Sequence, residues 1–460
     1  MYILTLMCQP HFFVSLLTTV LEDFIINLTQ FCAKLFKKER KMKQIFLSMA
    51  ILMILATMMA FCGCTDETEG STPISSETND SQESVSSSFV DGSSTNSSIA
   101  DNDDEKDEDG VYRFSGVVYR TDSSIDYYYV DGIEEDKLSF EVKILEKIGA
   151  YQVTKINSDV FCDVDNIRSV YIPKTVTEIE GNAFIGCKDL MNINVDEENP
   201  AYKSESGVLY TKDGKKLLAY PSGKISQSFV IATETLEIAP YAFKNAVGLK
   251  SAELSSALRV IGYEAFSGCT ALNSIVFPDS LMEIGSFAFF GCSLLGSVII
   301  PARTTIIGEA PFAACSSLTQ IGVNAANPRY TSVDGNLCSR EDGVLLQYAV
   351  GKKDTYYQIP EDIQVVELGA FYGAANLESV SFESLTRIGT SAFRDCVNLK
   401  SMYLSCEIRT VGAYAFAGCT NLTIYFEESE ESVEFACLQT GRWAATWNSD
   451  NRPVVYDYAE

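Results

Sequence analysis

The sequence predicts a solenoid of the α/β class, in which short parallel strands stack rung upon rung and are joined by short helical turns. Three observations predict it. A motif recurs at a fixed interval, two longer segments between copies match each other, and the chain closes on an aromatic tail after the last copy.

The motif is seen in GYEAFSGCTALNSIVFP, from Gly262 to Pro278. Related stretches start at Ile156, Glu178, Glu237, Val260, Glu283, Ile306, Val366, Arg387 and Thr410. Their anchoring aromatics are Phe161, Phe184, Phe243, Phe266, Phe289, Phe312, Phe371, Phe393 and Phe416. The gaps between them are 23, 59, 23, 23, 23, 59, 22 and 23, and each 59 reads as one period of 23 plus 36 inserted residues. A fixed period of 20–50 residues marks a repeat array. The nine phenylalanines are expected to form one continuous interior row.

Each position has a physical role. Leu272-x-x-Ile275-x-Phe277 is a leucine-rich-repeat strand pattern. Ile275 and Phe277 alternate with Ser274 and Val276, so one pair faces the core and the other faces out. Ala265-Phe266 is too short for a helix and suits one helical turn with Phe inside. Pro278 stops further ladder pairing. A single rung buries too little apolar surface to offset the entropy of ordering it, so stability comes from stacking and the ends need covers.

The two inserted segments correspond at an offset of 128. NPAYKSESGVLYTKDGKKLLAYPSGK begins at Asn199 and NPRYTSVDGNLCSREDGVLLQYAVGK at Asn327. Each reads as strand, Asp-Gly turn (Asp213-Gly214, Asp342-Gly343), strand, because both turn positions favour positive φ. The expected organisation is a leader and signal peptide over 1–64, a disordered acidic Ser/Thr-rich tether over 65–110 and an N-terminal β cap over 111–155. The leucine-rich-repeat solenoid follows over 156–426, with hairpin insertions at about 199–233 and 327–361. A C-terminal cap over 427–460 holds Trp443 and Trp447.

The rung pattern I-x-x-x-A-F-x-x-C-x-x-L-x-x-I-x-[LIVF]-P resembles the BspA-type leucine-rich repeat of bacterial surface proteins, and the closing W…W….PVVYDY is similar to tails of that family. The resemblance covers roughly 150–460. It implies a solenoid fold and extracellular binding or adhesion, often to host matrix, host cells or other bacteria. It implies no catalytic residues.

The N-terminal segment adds an address. A basic block from Lys37 to Lys43 precedes an apolar run from Ile45 to Phe61 and then Cys62-Gly63-Cys64, the parts of an export signal. Small residues before a Cys resemble the lipobox of bacterial lipoproteins. That resemblance implies cleavage before Cys64 and lipidation of Cys64, although Phe61 stands where that family usually has Leu. The expected location is the outer face of the bacterial cell membrane, tethered by lipid. Residues 1–41 read as an over-extended start, with Met42 an ordinary initiation point. The Ser, Thr and acid-rich stretch after Cys64 cannot bury enough apolar surface to order itself.

Charge and composition exclude other classes. A formal charge of −27 argues against nucleic acid and against adsorption to anionic lipid. The single histidine, His11, lies in the leader, so the exported chain has no imidazole for a Ser-His-Asp relay or a zinc site. No enzyme activity, cofactor or metal is expected. Cys187, Cys269, Cys292, Cys315, Cys396 and Cys419 share one column, replaced by Ala246 and Ala374 in two rungs. The column reads as a small core filler made of free thiols.

The candidate contact surface is the outward strand face. One column holds Ser169, Asn192, Ser251, Ser274, Ser297, Gln320, Ser379 and Ser401. Ligand contacts are assigned to the second column: Tyr171, Asn194, Glu253, Val276, Ile299, Ser381 and Tyr403. The insertion hairpins are a second candidate surface. The expected partner is an extracellular protein or glycan; the alternative function is a structural cell-envelope protein with no external ligand.

Overall fold

The structure, a computed structural model, describes residues 110–458 apart from 122–123, 182 and 436–442. The leader, Cys64 and the acidic tether up to residue 109 lie outside the described residues.

Strands Val111–Phe114, Val117–Arg120 and Tyr127–Ile133 form an antiparallel meander. Tyr127–Ile133 then pairs in parallel with Tyr151–Ile156, and from there the chain winds as a solenoid. Two ladders of short parallel strands run along it. The face ladder includes Ser228–Val230, Ser251–Glu253 and Ser274–Ile275 in one sheet and Ser297–Ile300 with Gln320–Val323 in another. The side ladder includes Glu237–Ile238, Val260–Ile261, Glu283–Ile284 and Ile306–Ile307. Alternation holds on the face ladder: Val298 and Ile300 are buried while Ile299 is exposed.

The expected helical turns are absent. Among the described residues, helix is confined to Glu135–Lys137 and the stretch 430–435, so the chain is a parallel β solenoid with very little helix. Within each aromatic run the segments around the Phe residues instead form a third ladder of unusual form. The amides of Glu264, Phe266 and Gly268 donate to Ser286, Ala288 and Phe290 of the next rung, at 2.7–3.0 Å. The intervening amides of Ala265, Ser267 and Cys269 donate back within the turn, to Gly262, Glu264 and Phe266. Buried backbone groups must find partners, and this alternation supplies both sets. Its conformational signature is positive φ two residues either side of the Phe, as at Glu264 and Gly268 (48° and 73°) and Phe287 and Gly291 (55° and 70°). The latter position is Gly next to a long neighbour: a Cβ on Gly268 would lie 2.2 Å from the Asn245 side-chain oxygen of the rung before.

The cysteine column does more than fill space. The thiols of Cys187, Cys269, Cys292, Cys315, Cys396 and Cys419 donate to the carbonyls of Phe161, Phe243, Phe266, Phe289, Phe371 and Phe393, at 2.7–3.2 Å. Burial pushes the Cys187 and Cys269 thiols up to about 12, so they stay protonated and remain donors. The nine described cysteines are free thiols.

The aromatic row is not continuous. Phe161 stacks on Phe184 at 5.5 Å. A second run starts with Tyr220 and continues through Phe243, Phe266, Phe289 and Phe312, at 4.6–5.4 Å. A third starts with Tyr348 and continues through Phe371, Phe393 and Phe416, at 4.7–5.7 Å. Three apolar cores follow the same divisions. The 59-residue gaps are therefore 36 followed by 23: each insertion carries its own rung, with tyrosine in the phenylalanine column. Both alanines of the cysteine column, Ala246 and Ala374, sit in rungs directly after a tyrosine. The Tyr348 carbonyl takes its hydrogen bond from the Gln347 amide instead of a thiol.

Each insertion splices the ladders it interrupts. Strands Tyr202–Glu205 and Val208–Thr211 pair antiparallel, as do Tyr330–Val333 and Asn336–Ser339. The turn carbonyls of Gly207 and Gly335 accept from Ile193 and Ile321 on the face ladder, at 2.9 and 2.8 Å. The phenols of Tyr202 and Tyr330 accept from the Ile179 and Ile307 amides on the side ladder, at 2.9 and 3.1 Å. Buried Asn199 donates to the Pro173 and Val176 carbonyls and accepts from the Ala201 and Tyr202 amides; Asn327 repeats all four bonds. The ammonium groups of Lys224 and Lys352 bind the hairpin-turn carbonyls of Ser206 and Asp334.

Beyond the last rung, Trp443 and Trp447 are buried against Phe426 and Phe416. The Trp443 indole donates to Ile408 O at 2.8 Å. Val454–Val455 adds a final strand to Thr423–Phe426.

Candidate functional site: the outward face of the strand ladder

The face ladder fixes where each candidate side chain points, because its inward neighbours are locked in the core. The candidates fall into three groups, one for each apolar core, and they differ in how occupied they already are.

In the first group, the Tyr171 hydroxyl donates to Asp196 at 2.7 Å, and Lys143 lies 5.6 Å from its ring. That hydrogen bond, with the Glu198 amide, holds the Asp196 carboxyl below the usual carboxylate range. Tyr171 is thus tied down by its own neighbours. Asn194 is exposed beside it in register.

In the third group, the Ser381 hydroxyl shares a 2.7 Å hydrogen bond with Tyr356. Tyr403 stacks on Tyr425 at 5.1 Å, and Tyr458 closes the cluster at 5.4 Å from Tyr403. The sequence reading included Ser381 and Tyr403 but not Tyr356, Tyr425 or Tyr458.

The middle group is apolar and open. Val276 is 81% exposed, Ile299 69% and Val230 62%. Register sets Val230 beside Glu253, and continuation of the Ser251–Ser274 pairing sets Val276 on the other side. A depression of about 410 Å³ lies here, lined by Ser251, Glu253, Ser274, Val276 and Pro278 among others. Val230 was missed because Ser228–Val230 falls inside the segment read as an insertion. The available signal was the spacing of 23 between Ser228 and Ser251.

The second insertion also borders a cleft of about 490 Å³, with Ile307, Glu309, Arg329, Tyr330, Asp342 and Glu367 in its lining. It opens where the side ladder stops at Ile306–Ile307. Among the described residues no three His, Cys, Asp or Glu side chains are grouped to hold a metal ion.

Stacked parallel strands, aromatic interior columns and an exposed outward face define the chain as a repeat scaffold of the leucine-rich type, a class whose working surface is its exposed face. The chain belongs to the family described as BspA type leucine rich repeat region: six copies of that model match residues 136–206, 236–335 and 351–440, more than half of the 460 residues. Among solved structures, it is similar to a leucine rich cell surface protein from Faecalibacterium prausnitzii A2-165, at 24% identity over 76% of this chain and 95% of that one, with a TM-score of 0.48. It is also similar to the pneumococcal vaccine antigen PcpA, at 19% identity over 68% and 61% of the two chains (TM-score 0.38). A third is a leucine-rich repeat protein from Bacteroides ovatus ATCC 8483, at 18% identity over 75% and 99% (TM-score 0.32). No functionally curated protein shows significant similarity to this chain.

Proposed function

We propose that the chain is an exported, surface-anchored binding protein that recognises an extracellular protein or glycan on host or microbial surfaces through the outward face of its strand ladder. The observation that carries this reading is the open apolar group on that face. Val230, Val276 and Ile299 stand in solvent on the outward side of the face ladder. Exposed apolar side chains gathered on one face support an interface. Repeat families of this kind serve in protein interaction, which supports binding over catalysis. The basic block, apolar run and Gly63-Cys64 pair support export and lipid attachment at Cys64.

The test is capture by the immobilised full chain from host-matrix and bacterial-surface extracts. Capture is expected to fall about tenfold in the double variant Val276→Ser, Ile299→Ser, with no change in thermal midpoint. Undiminished capture by that variant would remove the strand face from consideration and point to the insertion cleft. For the anchor, Cys64→Ser is expected to abolish incorporation of labelled palmitate; retained label would refute it.

A further inference from the structure

The middle of the strand face holds an uncommon combination: one carboxylate with no internal partner, set among exposed apolar side chains. Several carboxylates on or beside the ladders are answered by a base on an adjacent rung. Glu237 has Lys216 at 2.6 Å, Glu264 has Lys244 at 2.5 Å, Glu180 has Lys155 at 2.6 Å, and Glu378 has Lys400 at 2.6 Å. Among the described residues, no basic group pairs with Glu253. Its lateral neighbours are Val230 and Val276, and Ile299 follows one rung on. The hydroxyl-bearing Ser251 and Ser274 line the same depression, and Pro278 walls it.

Resting on the strand-face reading, we infer that this depression is a subsite for a basic side chain, Arg or Lys, of a protein ligand, flanked on that ligand by apolar residues. The chemistry selects among ligands. A wholly apolar partner would strip water from the Glu253 carboxylate without replacing it, which is costly. An acidic partner is repelled by Glu253 and by the net charge of −27. A neutral polar partner leaves Val276 and Ile299 without apolar cover. Arg and Lys alone carry a hydrocarbon stem and a cationic head on one side chain: the stem lies along Val276 and Pro278, and the head reaches Glu253 with the serine hydroxyls beside it. The acidic molecule also steers a basic partner toward its surface.

The test uses the full chain with isotope-labelled Val and Ile methyl groups. The probes are n-butylguanidinium, which carries stem and charge, and n-butylurea, its uncharged isostere. The methyl signals of Val276 and Val230 are expected to move with both probes, with the cation binding about fivefold more tightly, the scale of one exposed ion pair. In Glu253→Gln the two probes are expected to bind alike while the remaining methyl spectrum is unchanged. Equal binding of the two probes to the unmodified chain overturns the inference. So does a cation preference that survives Glu253→Gln, or cation-induced shifts spread evenly over methyls remote from Val276. The two ideas fail separately. Loss of capture in the Val276, Ile299 double variant without a probe preference leaves the face as binding surface but removes the basic-side-chain subsite. A probe preference without that loss keeps the subsite and removes the face from ligand capture.

Discussion

The two inserted segments, 199–224 and 327–352, meet the same structural demand with partly different residues. What both keep is what the ladders require. Asn199 and Asn327 satisfy the same two carbonyls and two amides, Tyr202 and Tyr330 close the side ladder, and Ser204 and Ser332 bind the carbonyls of Ile193 and Ile321. What differs is inside and outside that frame. Pro221 in the first corresponds to Ala349 in the second. Ala349 has an amide hydrogen that Pro221 lacks, and the buried side chain of Asn336 accepts it at 3.1 Å, where the first segment has Val208. A change at one position thus calls for a partner at another. On the outward face, the Tyr171–Asp196 pair of the first block corresponds to Ile299 and Asn324 of the second. The same rung geometry is self-satisfied in one copy and left open in the other. Interior constraints fix the splice, and the face varies independently of it.

The comparison makes predictions that descend in size. Asn199→Ala and Asn327→Ala each remove four hydrogen bonds to backbone groups and are expected to cost about 3 kcal/mol in denaturant unfolding. A difference above about 1 kcal/mol between them would show that the splices are not equivalent. Asn336→Val strands the Ala349 amide and is expected to cost about 2 kcal/mol. Adding Ala349→Pro should recover at least half of that, since it copies the first segment. A double-mutant cycle with no coupling would break the assigned pairing.

Tyr220 and Tyr348 carry buried hydroxyls without hydrogen-bond partners in a column otherwise made of phenylalanine. Tyr348→Phe and Tyr220→Phe should therefore be neutral or stabilising, by up to about 1 kcal/mol; a clear loss in either would show that its hydroxyl has a structural role. The smallest effect concerns pH. Asp196 is held below its ordinary value in the folded chain, chiefly by Tyr171. It therefore contributes stability above the unfolded carboxylate value of about 3.9, which is lost as pH falls through its folded value. Asp196→Asn should flatten the acid limb of the unfolding midpoint between about pH 5 and pH 2 and leave the limb above pH 6 unchanged. An unaltered limb would mean the pair does not form.

Much of this was legible in the residues. The period, the phenylalanine column, the alternation at Ile299 and the offset of 128 all follow from side-chain burial, and burial imprints a hydrophobic pattern. The third ladder left no such imprint. Its left-handed positions two before the aromatic are occupied by Asp159, Tyr241, Glu264, Phe287, Ala310, Gly369, Ser391 and Tyr414, a mixed set with no common turn-forming chemistry. Only the position two after it shows a bias, toward Gly, Asn and Asp. Tyr220 and Tyr348 were hidden because the column elsewhere is phenylalanine and their own segments lack the Ala-Phe motif. The thiol bonds were hidden because a donor and a filler are the same residue; the alanines after each tyrosine were the available clue. At the candidate site, Val276, Ile299 and Glu253 could be placed by counting, whereas the tie between Tyr171 and Asp196 could not. It joins residues 25 apart whose meeting depends on the turn between them.

The third ladder has a direction. Within each aromatic run the amides of alternate residues point toward the following rung, and the matching carbonyls point back. Summed over a run, these aligned peptide dipoles give the array a head and a tail, as in a helix. The amide-bearing terminus falls at the last rung, where Tyr414 donates to Thr446 O at 2.9 Å and Gly418 donates to the Asp450 carboxylate at 2.7 Å. An anion at that terminus has the favourable sign. Lengthening such a protein by duplicating turns therefore works only head-to-tail, and only ahead of an ending that brings acceptors of its own.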